Sequence, residues 1–228
     1  MIANKKTFNI GLGMMAGFIV VLVIFFMPVF NGHNGLNYLD SLFNSISKGS
    51  AHFIPRLKEE VRPFDQKTVD LALTLKSAEQ AQQTALMFQK AGATAEADGE
   101  KLKVSGNLGQ ILTAILEDSD AMFFNDSQKV DAQYGFEARQ ALFNWWTALN
   151  AMEKALTTQK KFNDAKMVAT VRNRAVEVAF NFYRIEPQNI SDKYGIVIFS
   201  LIFYVVYTLW YGFAIMFMFE GWGMKMEH

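Results

Sequence analysis

The sequence contains no cysteine, only three histidines and four prolines, and it carries no net charge over its 228 residues. The absence of cysteine excludes disulfides, thiolate metal sites, c-type haem attachment and a cysteine nucleophile. Its 22 basic residues are balanced by 22 acidic ones, so no positive surplus favours a nucleic-acid partner. GxSxG, HExxH and P-loop motifs are also missing. We therefore predict that the protein is not an enzyme and does not bind nucleic acid.

Patterns that could bind a metal are weak. His33 and His52 are separated by 19 positions and show no ligand-like spacing. The acidic run Glu117–Asp120 lacks the glycine and the alternating spacing of a calcium loop, which favours a solvated helix face. Methionines near the C-terminus, together with His228, have the chemistry of a Cu(I) site, but methionine is also a common packing residue in apolar segments. We predict no metal and no cofactor.

Charged residues are absent from two long stretches, 9–30 and 194–219. At about 1.5 Å per helical residue, each stretch is long enough to cross a hydrocarbon core of roughly 30 Å. The intervening residues 31–193 have the composition of ordinary soluble protein. These features predict a mainly α-helical membrane protein. Two transmembrane helices would flank a helical domain that carries one small β-hairpin.

The first stretch, 9–30, follows Lys5 and Lys6, as the apolar core of a signal peptide would. However, its apolar run is longer than the roughly 7–15 residues of such a core, and Pro28–Phe30 makes a poor cleavage site. We therefore predict an uncleaved signal anchor.

Basic residues near the two stretches predict the orientation. Lys5 and Lys6 immediately precede the first span, which usually dominates topology, and long loops cross the membrane largely regardless of their charge. The competing cations on the other side of the spans are Lys48, Arg184 and Lys193. We predict a two-pass protein of the cell (inner) membrane, with cytoplasmic tails 1–8 and 220–228 and an extracytoplasmic domain 31–193.

Two features of the spans suggest helix packing. Gly13 and Gly17 form a GxxxG pair that would permit close approach of another helix, unless the pair is a chance occurrence in an apolar segment. Phe203, Tyr207 and Trp210 share one face of the second span. Tyr207 and Trp210 carry polar groups near mid-bilayer and need a hydrogen-bond acceptor. The first span offers only backbone, so we expect this face to contact a second polypeptide, with a lipid-facing aromatic surface as the alternative.

The central domain shows mostly helical periodicity. A helix is predicted over 36–46, either lying on the lipid surface or packed under the domain. A long helical pattern begins near Gln66, and further helices begin near 108, 138 and 163. Between them, residues 94–105 alternate in polarity around Asp98-Gly99, which predicts the hairpin.

One surface of the domain could bind a ligand or a partner. Trp145 and Trp146 lie on one predicted helix and could line an apolar pocket. Arg172 and Arg174 lie on the last helix and could hold an anion. The alternative is that the aromatic residues form the core and the arginines are solvated.

These observations favour a membrane-anchored accessory or scaffold subunit of a larger membrane assembly. Its partners would be other membrane subunits or further copies of itself, together with the lipid bilayer. The alternative is an extracytoplasmic sensor or solute-capturing domain that signals through a partner.

Overall fold

A computed structural model describes residues 2–29 and 32–224. The described chain is mainly helical and contains one three-stranded antiparallel sheet. Its elements are α1 (Lys5–Phe26), α2 (Gly35–Lys48), α3 (Ile54–Val61), β1 (Thr68–Thr74), α4 (Ala78–Lys90), β2 (Thr94–Asp98), β3 (Lys101–Asn107), α5 (Leu108–Phe123), α6 (Ser127–Tyr134), α7 (Ala138–Thr158), α8 (Phe162–Val171), α9 (Glu177–Phe182) and α10 (Ile190–Gly221). A 3-10 turn (Arg62–Phe64) follows α3, and a π-helical turn (Arg172–Val176) joins α8 to α9.

The chain forms two compact units. Residues 1–49 and 187–228 form one, here called the helix-pair unit, and residues 50–186 form the other, here called the central unit. The central unit is shorter than the predicted domain 31–193 because α2 belongs to the helix-pair unit. A Cβ on Gly35, the first residue of α2, would collide with the ring of Phe25 on α1, so only glycine permits this close approach.

Helices α1 and α10 are long and apolar enough to span a membrane. They contain 22 and 32 residues and include most of the predicted spans 9–30 and 194–219; Phe30 lies outside the described residues. Helix α1 begins at Lys5 because the side-chain oxygen of Asn4 accepts from the backbone N–H groups of Lys6 and Thr7, at 3.1 and 3.2 Å. Side-chain capping therefore starts the helix one turn before the apolar stretch.

The predicted hairpin is confirmed. Strands β2 and β3 pair in antiparallel register from Asp98–Lys101 to Thr94–Ser105, and β3 continues to Asn107. Gly99 lies in the two-residue loop with φ of +57°, a conformation that glycine adopts without steric cost. The alternating pattern thus predicted the strands, and the glycine predicted the turn.

The helical pattern predicted from Gln66 is wrong over its first third. Residues 68–74 form β1, which pairs with β3 and gives the sheet order β1-β3-β2. Leu71 and Leu75 suggested helical spacing, but Val69, Leu71 and Leu73 alternate with exposed residues and are buried. The two-residue alternation of a strand therefore describes residues 68–74 better than helical spacing does. Helix α4 begins only after Ser77, whose hydroxyl accepts from the Gln80 backbone N–H.

The sheet buries one face and exposes the other. Helices α4 and α7 pack against the sheet. On the exposed face, Glu96 pairs with Lys103 and Asp98 with Lys101 across neighbouring strands. Opposite charges at directly facing positions stabilise an antiparallel pair. The alternation of apolar and charged residues along each strand therefore gives the sheet one buried face and one charged, exposed face.

Helix α5 lies at the centre of the central unit. It packs against α3, α6, α7, α8 and α9. Asn107 caps its start, because the Asn107 side chain accepts from the Gln110 backbone N–H at 2.9 Å. The helices predicted from 108, 138 and 163 are confirmed as α5, α7 and the continuous run from α8 to α9. The sequence reading missed the short helices α3 and α6.

Candidate functional site

Helices α1 and α10 pack closely at glycine residues. A Cβ on Gly11 would lie 2.7 Å from the Met218 nitrogen and 2.8 Å from the Ala214 oxygen, which is closer than real Cβ atoms approach. Seven residues before Gly11, the backbone N–H of Asn4 donates to the Gly221 oxygen at 2.9 Å. The helix pair is therefore held by contact between backbones, which small residues permit.

The two glycines of the predicted GxxxG pair have different surroundings. A Cβ on Gly17 would lie 3.0 Å from the Trp210 ring, whereas a Cβ on Gly13 would meet no described atom within 4 Å. Gly17 therefore faces α10, together with Gly11. Gly13 lies away from the described contact between the helices.

The aromatic face of α10 packs on α1 of the same chain. Tyr207 stacks on Phe18 at 4.3 Å between ring centroids, and Phe203 stacks on Phe25 at 6.3 Å. The indole N–H of Trp210 donates to the backbone oxygen of Met14 at 3.0 Å. We expected this acceptor on another polypeptide, but a main-chain carbonyl of α1 supplies it.

The hydroxyl of Tyr207 is buried and has no hydrogen-bond partner among the described residues. Its ring is held between Phe18 and Phe203, which stack on it at 4.3 and 5.6 Å. The packing of the ring, rather than its polar group, therefore accounts for the position of Tyr207.

A different face of α10 is open. Tyr204 is 68% exposed, although it lies close to the middle of the charge-free segment 194–219. Thr208, one turn later, is also exposed and donates to the Tyr204 backbone oxygen at 2.7 Å. One turn further, Gly212 has no described atom within 4 Å of an added Cβ. This surface is here called the Tyr204 face.

An apolar groove lies on the central unit. Its cavity has a volume of about 280 Å³ and is lined by Phe143, Trp146, Val176, Glu177, Phe180 and Asn181. Phe143 and Trp146 stack at 6.4 Å, and the Arg139 guanidinium lies 4.8 Å from the Phe180 ring centroid. The π-helical turn ends at Val176 and so shapes one wall; such turns are frequent at functional sites.

The four residues predicted to form a ligand surface do not lie together. Trp145 is fully buried, and its indole N–H donates to Asp118 at 2.7 Å. Trp146 lines the groove. The Arg172 side chain pairs with Glu153 and hydrogen-bonds to Asn150, while Arg174 is exposed. Periodicity placed the two tryptophans on one helix, where successive side chains point about 100° apart, but it did not show which of them faces the core.

Asp118 is a buried carboxylate with two donors on one oxygen. The Tyr134 hydroxyl donates to its Oδ2 at 2.6 Å, and the Trp145 indole N–H donates to the same atom at 2.7 Å. Burial raises the pKa of the Asp118 carboxyl, and the two hydrogen bonds oppose that rise. Burial and the neighbouring Asp118 charge also raise the pKa of Tyr134. This arrangement links α5, α6 and α7 through one charged group.

Elsewhere in the acidic run, Ser119 is buried and Glu117 is exposed, while Asp120 is partly exposed and has two basic partners. Asp120 contacts His52 at 2.7 Å and Lys58 at 3.5 Å. Over residues 2–29 and 32–224, no group of three or more metal-type side chains is placed to hold an ion. His33 is exposed, and His228 lies outside the described residues.

No protein-family model, curated protein or solved structure matches this chain.

Proposed function

We propose that the protein is a two-pass, membrane-anchored accessory or scaffold subunit that packs against other membrane helices. The proposal places both termini in the cytoplasm and the central unit outside the inner membrane. Two helices of sufficient length and apolarity support the anchoring. The Tyr204 face is the observation that carries the subunit role.

The polar group of Tyr204 provides the physical argument. A phenol hydroxyl near the centre of a bilayer has no water to bind, so it needs an acceptor from protein. Tyr204 is directed away from α1, since it is 68% exposed. Thr208 and Gly212 continue the same face with small side chains, which allow a neighbouring helix to approach. A transmembrane helix of a partner subunit, or of a second copy, satisfies both requirements.

The experiment compares assemblies extracted in a mild detergent. We expect the wild-type chain to be recovered from its native membranes in a complex larger than its 25.8 kDa monomer. Tyr204→Phe removes only the hydroxyl, and we expect it to weaken the complex; Gly212→Leu should disrupt it by filling the approach site. Tyr194→Phe is the matched control, because Tyr194 is equally exposed but lies at the end of the charge-free segment.

The mass of the extracted assembly decides whether the chain associates with other polypeptides. A stable monomer in native membranes, or an assembly unchanged by both substitutions on the Tyr204 face, would contradict the proposed role. The purified chain alone in lipid nanodiscs distinguishes self-association from a foreign partner, because only self-association survives purification to a single polypeptide.

The groove on the central unit supports the second candidate, a sensor or solute-capturing domain. Its aromatic lining suits a small apolar or aromatic ligand, whereas Arg172 is already paired with Glu153. Ligands should raise the melting temperature of the full chain by mass action, and Trp146→Ala should abolish that rise. Indifference to a broad panel of aromatic metabolites would count against this candidate.

A further inference from the structure

We infer that one end of the central unit, carrying Phe53 and Phe124, is a lipid-contacting surface whose two phenylalanines enter the head-group region of the bilayer. This inference rests on the proposed membrane anchoring and adds a second contact with the membrane beyond the two apolar helices. The surface is here called the Phe53–Phe124 surface.

Residues from the beginning and from the end of the segment 50–186 both contact this surface. Near the first end, the His52 ring lies 4.9 Å from both the Phe123 and the Phe124 rings. Near the last end, the Asn125 side chain donates to the Ile185 oxygen at 3.3 Å and to the Glu186 carboxylate at 2.9 Å. The C-terminal end of α5 therefore contacts the residues through which the chain enters and leaves the unit.

The connections at this end lead directly to the helix-pair unit. In sequence, Ser50 follows α2 by two positions, and Glu186 precedes the first residue of α10 by four. An extended chain spans at most about 3.3–3.6 Å per residue. The four-residue link therefore holds Glu186 within about 14 Å of the first residue of α10, whatever the arrangement of the two units.

The two side chains are large, apolar and uncovered. Phe53 is 42% exposed and Phe124 is 62% exposed, while their neighbour Phe123 is buried. Phenylalanine is one of the residues that interfacial amphipathic helices bury at the boundary between head groups and acyl chains. The His52 ring packs edge-on against Phe124, so a residue near the start of the segment supports the exposed ring.

The surrounding charges are of both signs. Lys58 and Lys129 line the same surface depression as Glu117, Asp120 and Asp126. This mixture of two basic and three acidic side chains does not favour an anionic partner. The two exposed rings, rather than charge, are the observation behind a contact with the apolar boundary of the bilayer.

A third exposed phenylalanine provides a matched control. Phe162 is also 62% exposed, but it lies near the opposite end of α5. Two residues later, the Asp164 carboxylate pairs with Lys67, and the Lys67 oxygen accepts from the backbone N–H of Leu108, the first residue of α5. A helix of 16 residues is about 24 Å long, so Phe124 and Phe162 belong to opposite ends of the unit.

The test uses spin labels on the full chain, which has no native cysteine. Single substitutions Phe53→Cys, Phe124→Cys, Phe162→Cys and Ile202→Cys each receive a nitroxide, and the protein is reconstituted in phosphatidylcholine vesicles. Collision rates with oxygen and with a water-soluble nickel chelate report the depth of each label. We expect labels at 53 and 124 to lie roughly 5–10 Å inside the interface. The label at 162 should be aqueous and the label at 202, in α10, should be deep.

Labels at the four positions distinguish failure of the lipid contact from failure of the membrane anchoring. If the label at 202 is deep but those at 53 and 124 match the label at 162, the inference is overturned while the anchoring stands. If the label at 202 is aqueous, the anchoring itself fails. If labels at 53 and 124 enter the interface only after anionic lipid is added, the contact is electrostatic, and the apolar insertion inferred here is wrong.

Discussion

The indole nitrogen of Trp210 donates a hydrogen bond to the backbone oxygen of Met14, a residue 196 positions earlier in the chain. The bond joins the two apolar helices through a side chain on one and the main chain of the other. It satisfies a polar group for which a bilayer interior offers no water. It therefore contributes to the stability of the helix pair as well as to its register.

Replacing Trp210 with Phe should weaken the helix pair, because it removes the indole donor while retaining an aromatic ring. We expect a loss of about 0.5–1.5 kcal/mol in the free energy of unfolding. An SDS titration in mixed micelles, followed by near-ultraviolet circular dichroism, measures the loss. Trp222→Phe is the control, since Trp222 is an exposed residue just beyond α10. Equal midpoints for the two variants would contradict the role of the bond.

Alanine at Gly11 and at Gly13 should have opposite effects. At Gly11 the new methyl group would collide with the backbone of α10, and we expect a destabilisation of about 1–3 kcal/mol. At Gly13 it would enter open space, so the gain in helix propensity, up to about 1 kcal/mol, should prevail. The same SDS titration compares the two variants. A stabilising Gly11→Ala substitution would show that the helices do not pack as described.

The buried carboxyl of Asp118 should make stability depend on pH. Burial raises its pKa in the folded state, so the folded chain holds this proton more tightly than the unfolded chain. The contribution of Asp118 to stability is therefore greatest below the unfolded pKa and falls as pH rises through the folded pKa. Above both values, the ionised form lowers the free energy of unfolding.

Asp118→Asn should remove that pH dependence. We expect the free energy of unfolding of the variant, relative to the wild-type chain, to increase from acidic toward neutral pH in urea titrations of the full protein. Glu100→Gln, at the exposed hairpin turn, is the control and should follow the wild-type profile. A difference between Asp118→Asn and wild type that stays constant with pH would contradict this assignment.

Two adjacent tryptophans should respond differently to the same substitution. Trp145→Phe removes a donor to a buried carboxylate and opens a void in the core, so we expect a loss of about 2–4 kcal/mol. Trp146 lines the groove and is only partly buried against the core, so Trp146→Phe should change stability by about 0.5 kcal/mol or less. Urea unfolding of the two variants provides the comparison. Similar losses would show that Trp146 also belongs to the core.

Much of the helical architecture could be predicted from the sequence. The charge-free stretches predicted α1 and α10, and a period near 3.6 predicted α5 and α7. Strand β1 was missed because Leu71 and Leu75 satisfy helical spacing, while the decisive alternation of Val69, Leu71 and Leu73 becomes meaningful only once β3 is available as a partner. A strand whose partner is distant in sequence leaves a weak local signal.

The surfaces were harder to predict than the elements. The acceptor for Trp210 is a main-chain oxygen, which every residue possesses, so no pattern of side chains indicates it. Likewise, Tyr204 and Tyr207 have the same chemistry and lie three positions apart, yet one is open and the other stacks on Phe18. Which tyrosine faces outward depends on the rotation of α10 about its axis, which the side-chain pattern of α10 alone does not reveal.

The strand order β1-β3-β2 has a consequence for synthesis on the ribosome. Strand β1 emerges first, but the residues that pair with it lie in β3, roughly 30 positions later, so at about 5–20 residues per second it waits for seconds. The later hairpin of β2 and β3 can close by itself within microseconds. The sheet is therefore completed by the return of its earliest strand, and until then Val69, Leu71 and Leu73 form an apolar segment available to chaperones or to mispairing.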